Sequence, residues 1–520
     1  MSTLEVDESA WPSGRELRRL TKLATEAHGG GSFGDLLEEV YTVVFSVAVA
    51  VAVAFGATAT LNTKLRPSTA ATTLDPAWLA LAAGVVALGV GIGLAGRLGP
   101  LGVGGGQAAW WLPTPADRRG LLRPRLLLLV VVSVAVGAGL GALVATLGGG
   151  SAAAPAAAAG AALGPVAVLA VARTQVAGLG RSVHPAVVVG ESLTVAAPLL
   201  ALLVVLLDPG APPAVPVAAL VAGGVVLALV AVLLLVDTDR RLDAISGAEL
   251  RARGAVTAYA AGAVTSLDTR ELGRALTITA QRDARSRSVD LAWVRGPVSA
   301  LVTGDAVLTL RSRRHVIAVV VWALVPVVVT LAGWPGWAVA AALIGSGYAA
   351  ALATTEGARR AEMAPVLDRV FAIEASQVRR VRLVWPAAVM ALWTLVVVGA
   401  WAALSGLDVL TWLPLALVAG PVLAAGAVRG AYRKPTDWSK PLVANPMGPP
   451  IPPGLLGTVS KGPDVVVICL IPLVLGLVAV AEPAVLLMWQ VAATAIAVAI
   501  ATHVPDPKGL FAQAAEGRRP

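Results

Sequence analysis

Cysteine occurs once in these 520 residues, at Cys469, histidine four times, and charged side chains make up only 14% of the chain. A single cysteine excludes an intrachain disulfide and a thiolate metal cluster. The histidines (His28, His184, His315, His503) are scattered at the edges of apolar runs, so no metal site is expected. Soluble-enzyme signatures are missing as well: there is no G-x-x-x-x-G-K-[ST] and no H-E-x-x-H. The glycine run Gly102–Gly106 is followed by neither a strand nor a Lys-Ser, so it reads as a loop rather than a phosphate cradle. The expectation is a non-enzyme that binds no cofactor itself.

Soluble domains carry roughly 25% charged residues. This chain, with 57% hydrophobic residues and a mean hydropathy of +0.80, is built for lipid. Apolar runs of helix-spanning length recur, and each can cross a hydrocarbon core of ~30 Å. The alternating ~10-residue strands of a membrane barrel do not occur. The fold class expected is therefore all-α: a polytopic membrane protein of about twelve transmembrane helices.

The spans read from the sequence are Tyr41–Leu61, Ala77–Ala95, Leu126–Leu147, Ala152–Ala172, Pro185–Leu207 and Val215–Val236, then Val316–Leu331, Trp337–Ala353, Leu383–Leu404, Val409–Val428, Val465–Val480 and Pro483–Thr502. Pro155 and Gly160 weaken the fourth. Before the first span lies a polar region, 1–40, without the short apolar core of a cleavable signal peptide. Within it Leu17, Leu20, Leu23 and Ala27 fall at helical spacing beside Arg18, Arg19 and Lys22, an amphipathic helix for a membrane surface. The domain plan is thus a tail (1–40), a six-span half (41–236), a linker with helical stretches such as Glu249–Val264 (237–314), a second six-span half (315–503) and a tail (504–520).

The net charge of +9 and pI near 10.3 would suit nucleic acid in a soluble protein. Here a better account is retention of Lys and Arg on the cytoplasmic side. With the N-terminus inside, the external loops keep only Lys64 and Arg66 of the forty Lys and Arg residues. Both termini are then cytoplasmic, and no nucleic acid partner is expected. The excess of Arg over Lys, with abundant Ala and Val, is the bias of high-GC bacterial genomes, which points to a bacterial plasma membrane.

The two halves share landmarks. Arg123–Leu129 (RPRLLLL) aligns with Arg380–Pro386 (RVRLVWP) at an offset of about 257, and Leu169–Gln175 with Gly426–Tyr432 at about 256. Pro198–Leu206 aligns with Pro472–Val480, the larger offset being absorbed by the proline-rich insertion Pro441–Gly454. These landmarks predict a parallel internal repeat.

Ionisable residues inside membranes mark ion pathways, and they are scarce here. Glu191 and Asp464 lie near the cytoplasmic ends of the fifth and eleventh spans. They read as interfacial carboxylates at helix N-termini or as gating groups. Spans of Leu, Val and Ala suit an apolar or amphipathic substrate whose transport draws its energy from elsewhere. That shifts attention to the stretch Trp110–Leu129 (WWLPTPADRRGLLRPRLLLL). Pro113 and Pro115 break the chain, and Asp117 is placed to cap a short helix through Leu122. Arg118, Arg119, Arg123 and Arg125 would then face water or a partner. A related basic arrangement, with Asp368, Arg369, Arg379, Arg380 and Arg382, runs from Asp368 to Leu383. The plainer reading is a lipid anchor, with Trp110 and Trp111 at the headgroups and the arginines on anionic lipid.

The phrase LPTPADRRGLLRPRLLLL (Leu112–Leu129) resembles the L-P-x-x-R-R-x-L-L-x-x-R phrase that begins the third span in membrane subunits of ABC-2-type (type V) ATP-binding cassette exporters. A surface helix before span one and a basic short helix between spans two and three fit that layout. The resemblance implies a fused, pseudo-dimeric permease subunit in the bilayer. Separate ATPase subunits, in two copies, would carry ATP and Mg and dock on coupling helices at the two basic stretches. The chain departs from that family in the short connection Asp208–Pro216, which leaves no room for re-entrant helices between spans five and six. It also looks like an actinobacterial group of membrane proteins of this size. Two other readings compete: a twelve-span secondary transporter of the major facilitator type, and a non-transporting scaffold. Against the former, the loop Gly96–Arg125 is long and lacks that family's G-x-x-x-D-R-x-G-R-R phrase.

Overall fold

The computed structural model describes residues 12–27, 75–148, 152–178, 185–207, 210–213, 215–265, 291, 294–363, 373–433, 461–479 and 481–504. Every regular element among them is helical, and ten helices are long and apolar enough to cross a membrane. The described residues divide into two compact units, the first ending at Thr265 and the second beginning at Leu291. The expected first span, Tyr41–Leu61, lies outside the described residues, as do Asp368 and Arg369.

The first unit contains α1 (Gly14–Ala27), α2 (Pro76–Leu98), α3 (Gly105–Trp110), α4 (Arg118–Leu147), α5 (Ala153–Val176), α6 (Pro185–Leu207), α7 (Val217–Arg240), a single 3-10 turn (Leu242–Ala244) and α8 (Gly247–Thr265). Its helix ends follow local chemistry. Ser13 and Glu16 form a reciprocal capping box on α1, with the Ser13 N–H and hydroxyl both donating to Glu16 Oε2 at 2.8 and 2.9 Å. Asp75 caps α2, which carries Pro76 at its first position. Gly99, at φ 75°, ends α2 in the left-handed region that glycine occupies without strain.

Small residues set the spacing of the spans. Gly137 and Gly141 of α4 face Gly160, Ala156 and Gly164 of α5 so closely that a Cβ on either side would overlap a carbonyl oxygen of the other. Gly89 of α2 and Gly190 of α6 meet in the same way, and a Cβ on Gly190 would also strike the Gly93 backbone. Backbones in lipid approach through such stripes because dispersion, not water exclusion, holds them. Gly160 therefore strengthens the fourth span. Pro155 sits in the first turn of α5, where its missing N–H has no helical acceptor to lose.

The second unit contains α9 (Pro297–Arg311), α10 (Arg313–Leu331), α11 (Gly336–Thr354), α12 (Glu356–Met363), α13 (Ala375–Leu404), α14 (Val409–Ala431), α15 (Pro463–Cys469), α16 (Ile471–Ala479) and α17 (Pro483–Thr502). Its core is the α13–α14 seam, where Met390, Trp393, Val397, Leu415, Ala419 and Leu423 are buried. Here the structure corrects the sequence reading. The expected eleventh span, Val465–Val480, is not one helix but two, broken at Leu470. Pro472 explains the break, since it has no N–H to return to the Ile468 carbonyl.

α4 and α13 each contain thirty residues. At ~1.5 Å per residue each is about 45 Å long, roughly 15 Å more than the hydrocarbon thickness. Their arginine-bearing N-terminal turns are thus continuous with the spans. The separate short helix expected at Asp117–Leu122 is the start of α4, and Asp117 caps the span itself.

Candidate functional site

The basic stretch of the first unit is best built outward from Asp117. Its carboxylate accepts the Gly120 N–H at 2.7 Å, closing the N-terminus of α4, and also accepts the Gly14 N–H at the start of α1. One side chain thereby fixes α1 to α4. Pro124, inside α4, leaves the Gly120 carbonyl without its helical donor, and Arg18 of α1 donates to that oxygen at 3.4 Å. Thr21 of α1 completes the seam by accepting the Trp111 indole N–H at 3.0 Å.

The connection from α2 to α4 is packed rather than loose. Leu101, Val103 and Trp111 are buried with Leu121, Leu122, Leu126, Leu169, Leu242, Ile245 and Leu250. The Val103 N–H donates to the Leu250 carbonyl at 2.9 Å, joining the connection to α8. Gln175, 1% exposed at the end of α5, holds both backbone groups of Leu101: its Oε1 accepts the N–H at 3.2 Å and its Nε2 donates to the carbonyl at 2.7 Å. Polar backbone in a dry place requires such partners. Sequence reasoning missed Gln175 because it searched for charge.

The four arginines expected to face water or a partner are tied into this same body. Arg118 donates to the Ile245 carbonyl, and Arg125 to the Gly102 carbonyl and Gln107 while lying 5.9 Å from the Trp111 ring centroid. Arg119 and Arg123 converge on Asp239 at the end of α7, with Nε to carboxylate distances of 3.1 and 3.4 Å. Both remain partly open, each with a side-chain exposure of 44%. Pro113 is exposed in the turn before Asp117. The paired tryptophans are separated in role: Trp111 is buried, whereas Trp110 is 78% exposed at the end of α3. A headgroup position for Trp111 is thus overturned by its packing.

Among the basic residues of the second unit, Arg382 is nearly buried and pairs with Asp305 of α9 at 2.8 Å. Arg379 donates to the His503 carbonyl at 2.7 Å and stacks 4.6 Å from the Tyr432 ring centroid. Arg380 is exposed. Glu191, seven residues into α6, pairs with Arg97 at the end of α2, so it is an interhelical ion pair and not an N-cap. Asp464 pairs with Arg429 at 3.1 Å and accepts the Gly462 N–H at 2.7 Å, at the start of α15.

Residues 68–441 match the profile of a family of unknown function, DUF6297, and the chain belongs to that family. No curated protein and no solved structure matches the chain.

Proposed function

We propose that this chain is the membrane subunit of an ATP-binding cassette exporter in a bacterial plasma membrane, moving an apolar or amphipathic substrate. A separate ATPase, acting as two subunits that bind ATP and Mg, docks on its cytoplasmic face. In this reading the chain has twelve spans in two six-span halves related by an internal repeat, and both termini are cytoplasmic.

The observation that carries the reading is the body built from α1, the α2–α4 connection and the ends of α4, α5 and α7. A coupling element must act as a lever, and a lever must be stiff. Asp117, Gln175 and the Arg119–Asp239 pair brace this connection against four helices, so a push on α3 would reach the spans without being absorbed. Trp110 stands out from that body as an aromatic contact of the kind that anchors interfaces. The central turns of the ten apolar helices carry no Asp, Glu, Lys, Arg or His, which fits an apolar substrate and an external energy source.

A photocrosslinking amino acid at position 110 tests the docking in native membranes. Adducts with an ATP-binding subunit are expected, with the yield changing when ATP is trapped. Adducts with phospholipid alone would return the stretch to a lipid anchor and remove the exporter reading.

A further inference from the structure

The break between α15 and α16 is bridged by a side chain from another helix. In an unbroken helix the Leu473 N–H would donate to the Cys469 carbonyl. Here the Gln490 amide stands between them: its Oε1 accepts from Leu473 N at 3.3 Å and its Nε2 donates to the Cys469 oxygen at 3.0 Å. Gln490 is fully buried. Its Nε2 also reaches Thr494 Oγ1 at 3.3 Å, and that hydroxyl donates to the Val418 carbonyl of α14 at 2.9 Å. Gln490 and Thr494 lie in the middle of α17, and Val418 near the middle of α14, so this polar cluster sits at mid-span.

Each half-helix has close contacts of its own. α15 is fixed to the end of α14 by the Arg429–Asp464 pair and by the close approach of Gly426 to Val466. α16 packs on the start of α11, where Gly336 abuts the Leu477 carbonyl, and on the start of α14, where Trp412 fills the space beside Gly476. A break whose halves are held at separate contacts is a place where one can turn against the other. Unsatisfied backbone groups are costly in lipid, so the amide that satisfies them decides whether the break is held or free.

We propose that α15–α16 is a hinged span and that Gln490 is its latch: with the amide inserted the halves are held in one arrangement, and with it withdrawn α15 and α16 turn against one another about Leu470. The hinge goes beyond the exporter reading and does not depend on what drives the protein.

Double electron–electron resonance tests it on the full-length chain in lipid nanodiscs. Nitroxides are placed at the exposed positions Val467 and Val478, with Cys469→Ala removing the single native thiol. The parent should give one narrow distance distribution. Gln490→Leu should lose it and show a second, broader population. Adding Pro472→Ala restores the missing N–H and lets Leu473 return to the Cys469 carbonyl, so the double variant should regain a single narrow distribution. A Gln490→Leu distribution coincident with the parent, or a double variant as broad as the single one, would overturn the hinge. If Gln490→Leu alone does not fold, folding of the double variant supports the hinge and its failure refutes it.

Discussion

Arg119 and Asp239 close the first turn of α4 onto the last turn of α7, with Arg119 Nε 3.1 Å from Asp239 Oδ2. The residues are 120 positions apart in the chain, and the carboxylate side chain is only 11% exposed. Asp239 also holds Arg123, so reversing Arg119 sets two carboxylates against one another beside a single remaining arginine.

Charge exchange separates pairing from mere charge. Arg119→Asp alone should loosen the join between α4 and α7, and Asp239→Arg alone should place three cations together. The double exchange should recover much of the lost thermal stability in detergent, because it restores an opposite-charge pair at the same contact. If each single variant is as stable as the parent, the pair is a solvated surface contact of the common, weak kind.

Gln175 offers a test of the braced connection that leaves every charge in place. Gln175→Leu removes the partners of both the N–H and the carbonyl of Leu101, each costing about 1–3 kcal/mol where water cannot replace them. The expected result is faster amide exchange over residues 99–104 with little change in α6, which Gln175 does not hold. Unchanged exchange in that connection would mean that burial of Leu101 and Val103 suffices to fix it.

How much of this was legible beforehand depended on whether the determinant was local. α6 and α17 begin and end where the sequence placed them, because a proline opens each and a continuous apolar run fills it. α4 and α13 begin eight residues earlier than expected, because a hydropathy reading stops at arginine whereas a helix continues past the lipid. The break at Leu470 was invisible to hydropathy, which stays high across it. Arg119 could not announce Asp239, nor Arg382 announce Asp305, since those pairs exist only once distant helices pack. Gln490 carries no charge, yet a lone amide in an apolar run was the signal that could have found it, whereas Gln175, beside Arg173 and Thr174 at a helix end, gave no such signal.

The glycine seam predicts sharply different outcomes for similar substitutions. Gly137→Ala would drive a methyl into the Gly160 carbonyl, and backbone cannot move aside as a side chain can. Overpacking of this kind costs about 1–3 kcal/mol, so the melting temperature in detergent should fall. Gly91→Ala, where nothing lies within 4 Å, should be neutral or slightly stabilising because alanine favours helix. Equal behaviour of the two variants would mean that α4 and α5 separate freely to make room.

α1 should respond to pH through its capping box. The Ser13 N–H and hydroxyl bind the charged carboxylate of Glu16 and hold its pKa below the usual carboxylate value. Stabilisation from this group is therefore complete above the ordinary pKa of a glutamate and is lost as pH falls through the lowered one. A spin label at Leu23, an exposed position, should become more mobile in acid, and in Glu16→Gln that change should be reduced. Mobility that is flat with pH would show that Asp117 and the Trp111–Thr21 bond anchor α1 without help from its cap.

The Asp305–Arg382 pair calls for the largest single effect. Asp305 is 3% exposed and Arg382 9%, so neither charge has water to fall back on. Gly357 packs against the same carboxylate so tightly that a Cβ there would collide with it, which leaves the pair no alternative geometry. Removing one partner of a buried pair typically costs about 3–5 kcal/mol. Asp305→Ala should therefore lower the melting temperature more than Asp305→Asn, which keeps an acceptor for the guanidinium. Replacing both residues with apolar ones of similar size should recover part of that stability, since the cost of taking both charges out of water is then removed. If Asp305→Ala proves harmless while the paired replacement does not help, α9 is held to α13 by its apolar contacts and by the Trp385 indole, which donates to Thr309 at 3.1 Å.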